Sequence, residues 1–215
     1  MNLDRIYSYR FRNVDRGKRT MVWQELAKFI HAKLGSPEIM LDPAAGMCEF
    51  INAAPVREKW GVDVNEPFIR AHASEEVKIV IGDTRTVELP SGYFDAIFVS
   101  NFLEHLNSQE EVAEFLSKLH GHLKPNGRIA VMGPNFKYVF KEYFDFADHT
   151  VILSELGAAE HLYGAGFEVE AIYPRFLPLS FRGRLPVNRF LVRSYLAMPW
   201  VWPLFGKQFL LIGRK

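Results

Sequence analysis

Ile39-Met40-Leu41-Asp42-Pro43-Ala44-Ala45-Gly46-Met47-Cys48 opens the regular part of this 215-residue chain: a short apolar run ends on an acid and gives way to a loop of small residues. Two further runs end the same way, Trp60-Gly61-Val62-Asp63 and Ile79-Val80-Ile81-Gly82-Asp83, so the three acids stand 21 and 20 residues apart. Continuous apolar runs of this length read as strands buried on both faces, and the spacing leaves room for one crossover helix between neighbours. Acids at the carboxyl ends of parallel strands line the crevice in which open α/β sheets bind ligands. A nucleoside-bearing cofactor is the natural occupant.

The alternation extends in both directions. A helix is expected over 20–34, with Val22, Trp23, Leu26, Phe29 and Ile30 on one face, stopped by Gly35-Ser36-Pro37. Strands follow at 38–42, 59–64, 77–82, 94–100 and 128–132, and helices at 46–55, 66–73 and 109–123. Lys124-Pro125-Asn126-Gly127 reads as a turn. Ser154 caps a helix over 155–163, and further strands are expected at 167–173 and 207–212. Strands alternating with helices argue a parallel sheet wrapped on both faces. The chain divides into a basic helical cap (1–36), a cofactor-binding core (37–134) and an acceptor-side region (135–215), all within one domain.

Composition narrows the classes. No stretch approaches the ~20 apolar residues of a membrane span, the amino terminus lacks the apolar core of a signal peptide, and one cysteine, Cys48, excludes an internal disulfide. A cytoplasmic location is expected. Cys/His zinc patterns are absent, and no metal is expected. Charge is segregated: 8 of the 26 basic residues and none of the 25 acidic ones lie beyond Glu170. Such a tail suits either a solvated face or contact with something anionic.

The loop after Asp42 decides which nucleoside. A dinucleotide fingerprint needs three glycines, and only Gly46 is present, which disfavours a nicotinamide oxidoreductase. The loop instead resembles the first motif of class I S-adenosylmethionine-dependent methyltransferases, usually Asp-x-Gly-x-Gly-x-Gly, with Ala44 and Cys48 in place of the outer glycines. Either substitute fits the turn unless it requires positive φ, where it would cost stability. The family's later landmarks follow in order: Gly61-Val62-Asp63, Ile81-Gly82-Asp83-Thr84, the strand and loop Phe94 to Leu106, and Leu123-Lys124-Pro125-Asn126-Gly127-Arg128. The resemblance implies a Rossmann-like three-layer α/β sandwich with a mostly parallel seven-stranded sheet and an antiparallel last strand. It implies S-adenosylmethionine as cofactor, with Asp42, Ala44, Gly46, Asp63, Val64, Asp83, Thr84 and Asn101 around it. Asp63 is then the ribose acid, Asp83 the adenine partner, and Asp42 the acid near the sulfonium and amino-acid end.

Methyl transfer is a displacement at an activated carbon, and an oxygen acceptor also needs a general base. The first candidate base is His149, in Tyr143-Phe144-Asp145-Phe146-Ala147-Asp148-His149-Thr150, with Asp145 or Asp148 as its partner; His105 is the alternate. Each histidine could instead simply pack or anchor its loop. Asp145, Asp148 and His149 as a metal set are disfavoured, because adjacent residues rarely point at one ion.

Residues 175–206 form a long detour before the last strand, rich in Arg, Pro and aromatics, with an amphipathic helix expected over 187–198. Three readings stand: a lid over an anionic or glycan acceptor, a peripheral contact with the inner face of a membrane, or a dimer contact or extra packing layer. The run Asp148-His149-Thr150, Gly166-Phe167, Pro174 to Pro178 and Gly206-Lys207-Gln208-Phe209-Leu210 resembles bacterial methyltransferases that accompany glycan assembly. That resemblance implies O-methylation of a sugar or glycan-linked acceptor. A small-molecule or lipid methyltransferase and a non-catalytic cofactor-binding module are the alternatives. Nucleic acid is disfavoured, because the (Asp/Asn)-Pro-Pro-(aromatic) signature of enzymes acting on exocyclic amines is missing.

Overall fold

The computed structural model describes residues 5, 6, 9, 12, 16–179 and 188–215. Tyr7, Arg10 and Phe11 near the amino terminus, and the Arg182-Gly183-Arg184 run, lie outside them.

Each apolar run that ends on an acid is a strand: β1 (Ile39–Asp42), β2 (Glu58–Asp63) and β3 (Val77–Ile81). β4 (Phe94–Ser100), β5 (Leu123–Pro134), β6 (Glu168–Leu177) and β7 (Gln208–Arg214) complete a seven-stranded sheet in the order β3-β2-β1-β4-β5-β7-β6. β1 pairs in parallel with both β2 and β4, as β2 does with β3 and β4 with β5. β7 alone runs antiparallel, wedged between β5 and β6. This is the expected mostly parallel Rossmann-like sheet. Strand order reverses direction between β1 and β4, the place where sheets of this kind bind ligands at the carboxyl ends of their strands.

Helices α1 (Arg16–Lys33), α2 (Glu49–Ala53), α3 (Glu66–His72), α4 (Gln109–His122), α5 (Phe136–Val139), α6 (Glu155–Gly164), α7 (Arg189–Ala197) and α8 (Trp202–Phe205) cover the sheet. Alternation along the strands splits the core into two layers. Met40, Phe98, Ala130, Met132 and Leu210 pack with Leu26, Ile30, Phe50 and Trp202 on one face. Leu41, Ile97, Val99, Ile129 and Leu211 pack with Phe115, Leu116, Leu119 and Leu162 on the other. Capping follows the sequence: the side chains of Asn65, Ser108, Ser154 and Asn188 accept N–H bonds from Phe68, Glu111, Gly157 and Leu191.

Three expectations change in detail. The turn at 124–127 becomes part of β5: Phe94 pairs with Leu123 and Ala96 with Arg128, so the intervening residues bulge out, with Asn126 at φ 63°. The helix after β1 starts at Glu49 rather than 46, because Gly46 (φ 50°) and Cys48 (φ 53°) are both left-handed. The amphipathic helix of the detour is confirmed as α7, at 189–197.

Candidate active site

The loop between β1 and α2 is tied down from two sides. Ala45 N–H donates to the Val62 carbonyl at 2.9 Å, and Gly46 N–H donates to Asp63 Oδ2 at 2.9 Å. Asp63 Oδ1 accepts from Asn65 N–H at 2.8 Å. A carboxylate has roughly four lone-pair sites, so each oxygen keeps capacity for a hydroxyl donor. A Cβ built on Gly46 would meet nothing within 4 Å, so the backbone there faces open space. Cys48 does adopt the positive φ that favours glycine, and its burial in the core holds it there. The thiol is pushed up to about 12 by burial and by Asp42 and Asp63, which suits a packing residue rather than a nucleophile.

Asp42 is buried, and its carboxyl is pushed up to about 7, first by desolvation; the Ala44 N–H pulls it back and Asp63 raises it further. No cation is among these influences. Two neighbouring acids without a cation, beside an open loop, form a donor set that fits S-adenosylmethionine. That molecule brings an ammonium and a sulfonium near Asp42 and a ribose diol for Asp63. Asp42 makes the ligand-free protein sensitive to pH. The unfolded carboxyl ionises near 3.8 and the folded one near 7. This group's contribution is therefore full below pH 3.8 and is lost as pH rises to 7. The loss is on the order of 4 kcal/mol. Asp42→Asn should raise the melting temperature of the ligand-free protein by several degrees at pH 8 and barely at pH 4, while weakening cofactor binding. Equal shifts at both pH values would show that Asp42 is not the titrating group.

The other predicted cofactor residues line the same edge. Val64 follows β2 and is 59% exposed, an apolar surface beside the ribose acid. Asp83 lies two residues beyond β3, but Arg85 claims its carboxylate, with Nη2 to Oδ2 at 2.6 Å and Nε to Oδ1 at 3.0 Å. This ion pair holds Asp83 below the usual carboxylate range, and adenine would have to share it with Arg85. Thr84 is buried, and its Oγ1 has no hydrogen-bond partner among the described residues. Asn101 sits at φ 50° just past β4, its Nδ2 donating to Ser100 Oγ at 3.0 Å.

The loop after β4 meets the segment after β5. Thr150 and Val151 donate their N–H groups to the Glu104 carbonyl at 2.8 and 3.1 Å, and Thr150 Oγ1 donates to the Leu106 carbonyl. This splice brings His105 and His149 together, with ring centroids 5.1 Å apart. Nδ1–H of His105 donates to the Asp148 carbonyl at 2.9 Å, and Asp148 Oδ2 lies 3.5 Å away. Nε2 is then the basic nitrogen of His105. His149 is half-buried, stacked on Phe146 at 4.8 Å and edge-on to Tyr143 at 4.7 Å. Asp148 is thus brought to His105, the alternate candidate. Asp145 is exposed at the end of a short 3-10 turn and is not brought to either histidine by any described contact.

Two further members fall in the segments 94–106 and 143–150 but received no role from the sequence. Glu104 is buried, and a Cβ on Gly133 would lie 3.5 Å from its Oε2. Tyr143 is buried, donates to the Val151 carbonyl, and has its hydroxyl pushed up by burial and then by Glu104. The available signal was an acid between two buried leucines, Leu103 and Leu106. Glu104, His105 and His149 bring one ligand-type atom each within 4.8 Å of one another, although no metal was expected.

Residues 41–131 match the family model described as a methyltransferase domain. The stretch from β1 to β5 is thus similar to a methyltransferase domain. Solved structures agree on the fold. A SAM-dependent methyltransferase from Archaeoglobus fulgidus is 23% identical with a TM-score of 0.69, over 97% of this chain and 98% of that one. An S-adenosylmethionine-dependent methyltransferase from Mesorhizobium loti is 16% identical with a TM-score of 0.58, over 88% and 98%. The [4+2]-cyclase SpnF is 17% identical with a TM-score of 0.62, over 89% and 80%, so this fold also serves other chemistry. Comparison with curated proteins gave no match. The matched segment of the chain runs from β1 to β5 and takes in the Asp42–Cys48 loop, Asp63, Asp83 and His105. His149 and the detour lie beyond it.

Proposed function

We propose that the protein methylates a hydroxyl oxygen, on a sugar or glycan-linked acceptor, with His105 as the general base. The observation that carries this reading is the His105–Asp148 contact: Nδ1–H is held at 2.9 Å, which leaves Nε2 to accept a proton. Bound S-adenosylmethionine would supply an activated methyl carbon, so the protein's own tasks are placement, exclusion of water and proton removal. Asp148, buried and near the imidazole, orients the ring and stabilises it once protonated. His149, Phe146 and Tyr143 form an aromatic wall beside it, and exposed Phe140 and Phe144 extend an apolar surface of the kind that sugar rings pack against.

The test is chemical. Purified protein is given methyl-labelled cofactor with a panel of hydroxyl, amine and carboxyl acceptors, including glycan extracts. Label appearing as an alkali-stable ether supports the reading. Label only on amines would overturn it, since an amine acceptor does not require this base. Cofactor binding with no transfer to any class would favour the non-catalytic module.

A further inference from the structure

α7 is amphipathic, and only one of its faces is occupied. Val192, Tyr195 and Leu196 pack into the core, and the Tyr195 hydroxyl donates to the Phe176 carbonyl at 2.7 Å. Phe190 on the opposite face is 76% exposed and Leu191 is 42% exposed. The chain then turns through Pro199–Val201 into α8 and exposes Trp200 (74%), Leu204 (70%) and Phe205 (48%). Trp202 within the same turn is buried against Phe29, Tyr173 and Phe176. Scattered apolar residues on a surface are ordinary, but five large ones over two consecutive short helices and the turn between them are a concentration.

Its charge identifies the occupant. Arg189 Nη1 and Lys28 Nζ lie 2.8 and 3.3 Å from Glu25 Oε1, and Arg193 Nε lies 3.6 Å from Oε2. Three cations thus share one buried carboxylate, and the arginines and Lys28 keep half or more of their side chains in solvent. Lys33 reaches Tyr173 on the next turns of α1, and no acid occurs anywhere after Glu170. A surplus of cations around exposed Trp, Phe and Leu is the signature of a surface that seats aromatics among lipid headgroups and draws anionic lipid.

We propose that the α7–α8 face docks on an anionic bilayer surface, with Phe190, Trp200, Leu204 and Phe205 entering the interface and Arg189, Arg193, Lys28 and Lys33 facing the headgroups. No helix among the described residues is long and apolar enough to cross a membrane, so contact is confined to the surface. The patch is anchored toward the acceptor side. Arg175 Nε donates to the Gly206 carbonyl, and Asn135 N–H donates to the Lys207 carbonyl just before α5. The inference does not rest on the nature of the acceptor or on His105.

Vesicle co-sedimentation tests it, using the full chain with phosphatidylcholine vesicles with and without one-third phosphatidylglycerol. Binding should require phosphatidylglycerol and weaken at least ~10-fold between 50 and 300 mM salt. Trp200 fluorescence should be quenched by brominated acyl chains, and that quenching should be lost in Trp200→Phe. Phe190→Ser with Leu204→Ser should lower partitioning at least ~10-fold, with cofactor affinity and melting temperature as controls for folding. Three results would overturn it: no binding to phosphatidylglycerol vesicles at low salt, binding indifferent to these substitutions, or a dimer in light scattering that the substitutions dissociate without any vesicle binding.

Discussion

His105→Ala should lower turnover by ~10²–10⁴-fold, the range a positioned general base supplies, and leave cofactor affinity nearly unchanged. The ring's Nδ1 is committed to the Asp148 carbonyl, so alanine removes the one basic nitrogen this contact leaves available. Asp148→Asn should fall far less, because the backbone carbonyl that fixes the imidazole survives and only the more distant carboxylate, at 3.5 Å, is neutralised. His149→Ala should mainly raise the acceptor KM, since its ring belongs to the stack with Phe146 and Tyr143. Single-turnover rates with saturating cofactor separate these cases. If His149→Ala loses turnover as far as predicted for His105 while His105→Ala retains it, the base is His149, the residue that the sequence alone favoured.

Asp63→Ala should weaken S-adenosylmethionine by roughly 10²–10⁴-fold in calorimetry, more than any other single change in the cleft. Two charge-assisted hydrogen bonds to a diol contribute about 1.5–3 kcal/mol each. The same carboxylate also receives the Gly46 and Asn65 N–H groups, so it holds the loop after β1 against the end of β2. Asp63→Asn keeps an oxygen for one of these bonds and should sit between the two. Arg85→Ala serves as the contrast: it releases Asp83 from its ion pair and should leave affinity equal or improved. Unchanged affinity in Asp63→Ala would show that this acid does not receive the cofactor.

The sheet was legible because its signals are local. Runs such as Ile39 to Leu41, closed by an acid, read as buried strands, and their spacing admits one helix each. The run Ile79 to Ile81 is likewise a strand, half-buried because β3 lies at the sheet edge. The amphipathic stretch over 187–198 marked α7 in the same way. Positive φ at Cys48 was not legible, since a loop of small residues admits several backbones; the buried thiol selects the one observed.

What the sequence determined by itself is the strand–helix alternation, the cofactor class and the acids that follow the first three strands, all carried by neighbours within a few residues. Tertiary structure decided the rest. Asp148 stands beside His149 in the chain yet its carbonyl receives His105, 43 residues away. That pairing exists because Thr150 and Val151 bond to the Glu104 carbonyl, a splice between two loops on adjacent strands. Asp83 reads as the adenine partner but is claimed by Arg85, and Glu104, which received no role from the sequence, is buried. Hydrogen bonds between loops depend on strand order and register, which no local pattern of residues encodes.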